Sequence, residues 1–254
     1  MNRSSAHRFY LPDGAFTDVG GTLQLLDREA HHASDVLRLR GGDELTILDG
    51  KGSRLTCEII SVGRSRLELL VKEKNFAPSN SCLITLLTAI PKGKIESIIE
   101  KATELGASRI IPLLTERTVV QLDPSSSAVK VEKWRNIAID AIKQCGSPWL
   151  PKIEIPVTPA QYIARGEKID LPLVASLRPD SKSPRAIFQE YEARHHQKPV
   201  SVSVWVGPEG DFTTEELDLI QAAGAQPLTL GPLVLRADTA VIACLAVVNH
   251  ELQH

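Results

Sequence analysis

The chain has 254 residues, with 29 Lys+Arg against 31 Asp+Glu, a formal net charge of −2 and 43% hydrophobic residues. These figures allow one large or two modest globular units and exclude a disordered or fibrous chain. The longest apolar run, Ala240 to Val248, is far too short to span a bilayer, and no charged-then-apolar leader is read at the start, so the expected location is the cytoplasm.

Acidic and basic residues are also balanced over the stretch up to Phe76, so any nucleic-acid contact has to use a local basic patch. Cys57, Cys82, Cys145 and Cys244 stand far apart, with no C-x-x-C and no Cys/His cluster. That spacing favours free thiols in a reducing compartment over disulfides, and no metal site is expected.

The first seventy-odd residues read as β structure. Glu44–Leu48, Arg54–Val62 and Arg66–Lys72 are β-leaning runs, separated by the turn clusters Asp49-Gly50-Lys51-Gly52 and Gly63-Arg64-Ser65. Leu55, Cys57 and Ile59 alternate with Thr56, Glu58 and Ile60, the period of a half-buried strand. A helix over Arg28–Leu39, with Asp27 as its N-cap, interrupts the strands. A small β-barrel is the economical reading, and the polar, proline-bearing Asn75–Asn80 reads as a linker. The expected domains are 1–76 and 77–254.

Beyond the linker the pattern changes. Leu83–Ile90 is a continuous apolar run suited to a buried strand, followed by a helix carrying Ile95, Ile98, Ile99, Ala102 and Leu105, with Gly106 as its C′ residue. Arg109–Leu114 reads as strand and Val131–Gln144 as helix. Ile153–Ile155, Leu171–Leu177, Val200–Val206 and Pro227–Leu230 are further strands with helical segments between them. Such alternation predicts an α/β fold with a largely parallel sheet covered on both faces.

Two turns stand out near the carboxyl end. Gly207-Pro208-Glu209-Gly210 follows an apolar strand and precedes a capping box, Thr213 with Glu216. Spacing alone favours an ordinary βα turn, because neither G-x-G-x-x-G nor G-K-[ST] is present. Leu230-Gly231-Pro232 leads through Leu233-Val234-Leu235 to Arg236 and a nearly all-apolar helix, which has to be buried in the protein or against a partner subunit. On residues alone, Arg236 suits a structural ion pair and a ligand contact equally. Arg8, His32, Arg38 and Arg40 form an amino-terminal set. Helix-dipole stabilisation explains Arg38 and Arg40, while phosphate binding is the sharper reading of the set. No G-x-S-x-G, H-E-x-x-H or poised nucleophilic Cys is found.

Taken together these segments resemble the 16S ribosomal RNA uridine N3-methyltransferase family of the SPOUT superfamily. The similarity begins at His7-Arg8-Phe9-Tyr10 and continues through His32, Val36-Leu37-Arg38 and Leu48-Asp49-Gly50. It takes in Lys101–Gly106, Glu116-Arg117 and Gln144-Cys145-Gly146, and closes with Gly207–Gly210 and Leu230-Gly231-Pro232 through Leu235-Arg236.

The resemblance implies a PUA-like β-barrel that contacts RNA, then an α/β domain ending in a trefoil knot. It implies S-adenosylmethionine as methyl donor, 16S rRNA in the small ribosomal subunit as substrate, and a homodimer. The donor site it implies comprises Leu177, Val206, Gly207, Glu209, Gly210, Leu230, Gly231, Leu235, Arg236, Thr239 and Ala240. Arg8, His32, Arg38 and Arg40 fall to the RNA. Arg8 and Arg236 are expected to surround the target base and stabilise its anion, since neither has a structural partner legible in sequence.

Three positions depart from the family pattern. Asp211 stands where a glycine is usual, Ala237-Asp238-Thr239 replaces Thr-Glu-Thr, and Ser147-Pro148 stands where a basic residue often follows. Two alternatives accompany this reading. One is a 2′-O-ribose or guanine methyltransferase of the same superfamily; the other is a non-catalytic ribosome-assembly factor.

Overall fold

The computed structural model describes residues 7–12, 17–63, 65–91, 93, 95–118 and 124–253, and every element below lies within them. Arg64, expected in a turn, lies outside the described residues. The chain forms two compact units. One takes its residues from 1–79 and 139–150, the other from 80–138 and 151–254.

The first unit is built on a five-stranded sheet. In chain order its strands are β1 (Arg8–Tyr10), β2 (Thr22–Leu26), β3 (Glu44–Leu48), β4 (Ser53–Val62) and β5 (Arg66–Phe76), and they lie in the order β1-β3-β4-β5-β2. β4 buries Leu55, Cys57 and Ile59, the alternation expected of it. Register shifts at Thr56/Cys57 and Ile59/Ser61 mark bulges, which bend the strand and increase its twist. Phe9, Leu25, Leu45, Ile47, Leu67 and Leu69 fill the core beneath. The expected linker begins later than its composition suggested, because Asn75 and Phe76 are still paired with Arg54 and Ser53.

The predicted helix over Arg28–Leu39 is shorter and irregular. α1 (Asp27–His31) passes into a π-helical turn, His32–Val36. Leu26 occupies the N-cap position without a side-chain hydrogen bond, and Asp27 takes a left-handed φ of 48° rather than capping. Arg38, at φ 56°, ends the turn in the left-handed conformation that helix C-termini usually assign to glycine or asparagine. Leu39 N–H then closes on Ala33 O at 3.0 Å.

The turn between β3 and β4 is an Asx turn. Asp49 Oδ1 accepts from Lys51 N–H at 2.7 Å and from Ser53 N–H at 2.8 Å. Gly52 has no room for a side chain, since a Cβ there would come within 2.7 Å of both Phe76 and Trp149. The 146–150 segment packs on this turn: Gly52 N–H donates to Pro148 O, Leu150 N–H to Gly50 O, and Trp149 Nε1 to Ala77 O.

The second unit holds a six-stranded, wholly parallel sheet. Its strands are β6 (Leu83–Ala89), β7 (Arg109–Leu113), β8 (Lys152–Ile153), β9 (Leu171–Ala175), β10 (Ser201–Val206) and β11 (Gln226–Leu228), in the order β11-β9-β10-β6-β7-β8. The register aligns Val174, Trp205, Leu87 and Ile111 in one row, and Leu173, Val204, Leu86 and Ile110 in the next. Both rows are buried, so both faces of the sheet are covered. That explains why β6 reads as an unbroken apolar run.

The helices are α2 (Ile95–Glu104), α3 (Pro124–Cys145), α4 (Pro159–Ile163), α5 (Pro184–His195), α6 (Thr214–Ala222) and α7 (Ala237–Gln253). α4 and α6 cover the face bearing Trp205, with Tyr162, Leu217 and Ile220 in its core. α7 packs on β10 and on α2 and α5. Its buried face is Ala237, Val241, Cys244, Leu245 and Val248, while Ile242 is left 39% exposed. No described helix is long and apolar enough to cross a membrane.

Candidate cofactor pocket

β11, β9 and β10 are neighbours, and the loops after their carboxyl ends converge. They line a pocket open to solvent on one side, at the strand ends where parallel sheets commonly bind small molecules. Ala175–Leu177 follow or end β9, and Val206 to Glu209 with Asp211 follow β10. Leu228 ends β11, Leu230, Gly231 and Leu233 to Leu235 follow it, and Ala237 and Ala240 come from the first turns of α7. The walls are mostly apolar. Leu177, Leu233 and Val234 stand 56%, 73% and 78% exposed, apolar surface that a ligand or partner would remove from water.

Of the residues expected to hold a methyl donor, Leu177, Val206, Gly207, Glu209, Leu230, Gly231, Leu235 and Ala240 line this pocket. Gly210, Arg236 and Thr239 do not, although they sit on the same loop or the same helix start. Ala175, Ser176, Pro208, Asp211, Leu228, Leu233, Val234 and Ala237 line it as well and are not among the expected residues. Their signal was available, since each lies within a residue or two of an expected one.

The loop after β10 is a compact knuckle. Asp211 N–H donates to Pro208 O at 2.9 Å, and Asp211 takes φ 64°. Glycine would adopt that angle freely; aspartate tolerates it because its short polar side chain bonds locally. Here Asp211 Oδ1 accepts from Phe212 N–H at 2.8 Å. Asp211 therefore keeps the left-handed turn without a glycine and lines the pocket. Gly207 is tightly enclosed for a different reason: a Cβ there would lie 3.0 Å from Phe212 N and 3.1 Å from Asp211 Oδ1.

The next helix starts as its sequence predicts. Thr213 Oγ1 accepts from Glu216 N–H, and Glu216 Oε2 accepts from Thr213 N–H at 3.0 Å. Glu216 also accepts through Oε1 from Glu116 N–H at 2.9 Å, which ties the turn after β7 to this loop.

The arginines separate by unit. Arg236 is exposed; its carbonyl accepts from Ala240 N–H at 2.8 Å, but its guanidinium has no hydrogen bond or ion pair among the described residues, so the structural ion pair is not formed. Arg8 lies in the first unit and has structural partners that its sequence did not reveal. Its Nη1 donates to Lys143 O at 3.1 Å and Gln144 O at 2.9 Å, at the carboxyl end of α3. Arg8 and His32 line a broad groove with His7, Arg28, His31 and Lys143. Much of its charge is already paired, Lys143 with Glu29 and Asp140 and Arg28 with Asp140, and His31 Nδ1 contacts the Asp35 carboxylate. His32 packs edge-on against Phe9 with ring centroids 6.1 Å apart. Arg38 and Arg40 do not line this groove; Arg40 contributes its backbone N–H to Asp43 Oδ2.

The three buried cysteines are not set up as nucleophiles. Burial pushes the Cys57, Cys82 and Cys244 thiols up to about 12, with the Asp170 charge adding to the effect at Cys82. Among the described residues no group of three or more His, Cys, Asp or Glu side chains could hold a metal ion.

A family described as an RNA methyltransferase domain matches residues 78–249, and one described as an RNA methyltransferase PUA domain matches residues 25–72. The ribosomal RNA small subunit methyltransferase E of Synechocystis is 35% identical over 92% of this chain and 75% of its own length. The chain belongs to this methyltransferase family. The Bacillus subtilis member is 29% identical over 91% of each chain.

Solved structures agree with the family in fold. A methyltransferase of Legionella pneumophila, in complex with S-adenosylmethionine, superposes with a TM-score of 0.84 at 33% identity, covering 96% of both chains. The Neisseria gonorrhoeae ribosomal RNA small subunit methyltransferase E, also bound to S-adenosylmethionine, gives 0.83 at 28% identity over 96% of this chain and 97% of its own.

Proposed function

We propose that this chain transfers a methyl group from S-adenosylmethionine to N3 of a uridine in 16S ribosomal RNA. The observation that carries the reading is the pocket at the ends of β9, β10 and β11, in a chain whose relatives are solved with that donor. Its residues fit the group. Leucine and valine side chains suit an adenine ring, the turns at Gly207 and Gly231 offer main-chain groups, and Glu209 and Asp211 add negative charge beside a cationic ligand.

Leu177, Val206, Gly207, Glu209, Leu230, Gly231, Leu235 and Ala240 would hold the donor. Gly210 and Thr239 belong to the same loop and helix start. When bound, S-adenosylmethionine supplies a methyl carbon already activated by its sulfonium. What the protein adds is alignment and charge. Uracil N3 carries a weakly acidic proton that has to leave, and a fixed cation lowers the cost of the resulting anion. Arg236, exposed and unpaired at the start of α7, is assigned that role. The RNA side falls to Arg8, His32, Arg38 and Arg40. For Arg8, the carbonyls of Lys143 and Gln144 are a competing use of its guanidinium.

Base pairing occupies N3, so the target uridine has to be unpaired or turned out of its stack. The same reading assigns a closed PUA-like barrel to the first unit, a trefoil knot to the loops around the pocket, and a cytoplasmic site of action on the small ribosomal subunit. It also assigns a homodimer, supported by the exposed Ile242, Leu233 and Val234 near the start of α7.

Nucleoside analysis of small-subunit RNA tests the proposal. A strain lacking the protein should lose one 3-methyluridine, regained with the wild-type gene and not with Arg236→Ala. Unchanged 3-methyluridine in the deletion strain would refute the function. Full methyl transfer by Arg236→Ala would refute the residue assignment.

A further inference from the structure

We infer that Arg117 is a positioning residue for the cofactor pocket: it holds the loop after β10 in shape from outside, without lining the pocket itself. Within that loop Gly207 and Pro208 are buried, but Glu209 and Gly210 are exposed, so packing does little to hold its tip. Two carbonyls flank the pocket-lining Asp211, and Arg117 reaches both. Its Nη1 donates to Gly210 O and, at 3.4 Å, to Phe212 O. A Cβ at Gly210 would lie 3.3 Å from Arg117 Cδ, so the arginine stem lies close along this backbone.

The brace is itself anchored. Thr118 N–H donates to Thr115 O at 3.0 Å, Thr115 N–H to Thr118 Oγ1 at 3.1 Å, and the two hydroxyls are 2.7 Å apart. The Glu116 N–H bond to Glu216 fixes the same turn a second time. A permanently charged donor on two main-chain oxygens favours the one loop geometry that presents both. β7 contributes no residue to the pocket wall, and Arg117 is the side chain by which the turn after it reaches the pocket loop directly, beside the Glu116–Glu216 bond at the loop's far end.

This inference rests on the reading that the pocket holds S-adenosylmethionine. The experiment compares wild type, Arg117→Ala and Arg117→Lys by calorimetric titration with S-adenosylmethionine, by steady-state kinetics and by hydrogen exchange without ligand. Arg117→Ala should raise the dissociation constant and the KM for the donor about tenfold, the equivalent of about 1.4 kcal/mol. The KM for RNA should stay put. The amides of Asp211 and Phe212 should exchange faster, and Arg117→Lys, which keeps the charge but not the planar fork, should fall between. Donor affinity and loop exchange unchanged in Arg117→Ala would overturn the inference, as would equal rises in both KM values. If Arg117→Ala does not fold, the same comparisons on Arg117→Lys decide. If the wild type binds no donor, the proposed function fails, and the ligand-free exchange still decides the role of Arg117.

Discussion

Glu116 and Glu216 are a hundred residues apart in sequence, yet the N–H of the first donates to Oε1 of the second at 2.9 Å. The other carboxylate oxygen closes the capping box on Thr213 at 3.0 Å. One buried side chain thus begins α6 and ties the turn after β7 to the end of the loop after β10. Glu216→Ala should cost about 1–2 kcal/mol, because the buried N–H of Thr213 and the part-buried N–H of Glu116 lose their acceptor. Urea unfolding measures the loss. Calorimetry should show weakened donor binding in the same variant, and a change in stability alone would disconnect the tie from the pocket.

Gly207→Ala and Asp211→Ala should fail differently. The first inserts a methyl 3.0 Å from Phe212 N, so the knuckle has to shift and donor affinity should fall at least about tenfold in a folded protein. The second places alanine at φ 64° without the local bond to Phe212 N–H, which should cost about 1–2 kcal/mol of stability. Asp211→Gly should recover most of that stability. Thermal melts of the three variants beside donor titrations separate the two mechanisms.

For Arg8 the structure predicts a stability defect. Its guanidinium caps the end of α3 and lies against Gly146, where a Cβ would come 3.1 Å from Arg8 Cζ. Removing it should destabilise the protein by about 1–2 kcal/mol, the value of charge-assisted bonds at a helix carboxyl end. Denaturant unfolding of Arg8→Ala is the check. A fall in kcat with unfolding unchanged would instead favour contact with the target base.

Acid should act on a charge network at the opposite ends of the strands. Burial alone would raise the pKa of Glu154, but hydrogen bonds from Arg109, Lys152 and Arg165 outweigh it and hold the carboxyl at about 2. A carboxyl depressed in the folded state stabilises that state above its unfolded pKa, roughly 4.3, and loses the contribution as pH falls towards 2. Solvent screening reduces what the shift contributes, so the expected loss is about 1 kcal/mol, read from unfolding midpoints between pH 5 and pH 2.5. Glu154→Gln should show a shallower acid dependence over that window. A slope identical to wild type would assign the acid sensitivity elsewhere.

How much could be read beforehand differs by kind of feature. β4 was legible because alternation at Leu55, Cys57 and Ile59 is a property of neighbours, and β6 because burial on both faces leaves an unbroken apolar run. The capping box at Thr213 and Glu216 is equally local. The π-helical turn after His31 escaped notice, since helical periodicity over Arg28–Leu39 does not say that the backbone widens there. The role of Arg117 left only a weak trace, the Glu-Arg pair in the family pattern, with nothing to indicate what it grips.

The order of apolar runs, glycine turns and caps was enough to specify strands, helices, a parallel sheet and the two loops on which a ligand pocket could form. Those features depend on residues a few positions apart, where backbone geometry limits the outcomes. Folding alone decided that Arg8 meets the end of α3 and that Glu116 meets Glu216. It also decided that residues 139–150 join the unit formed by the amino-terminal strands. Such pairings cross a hundred residues or more, and what selects them is the packing of buried surfaces, which local pattern does not encode.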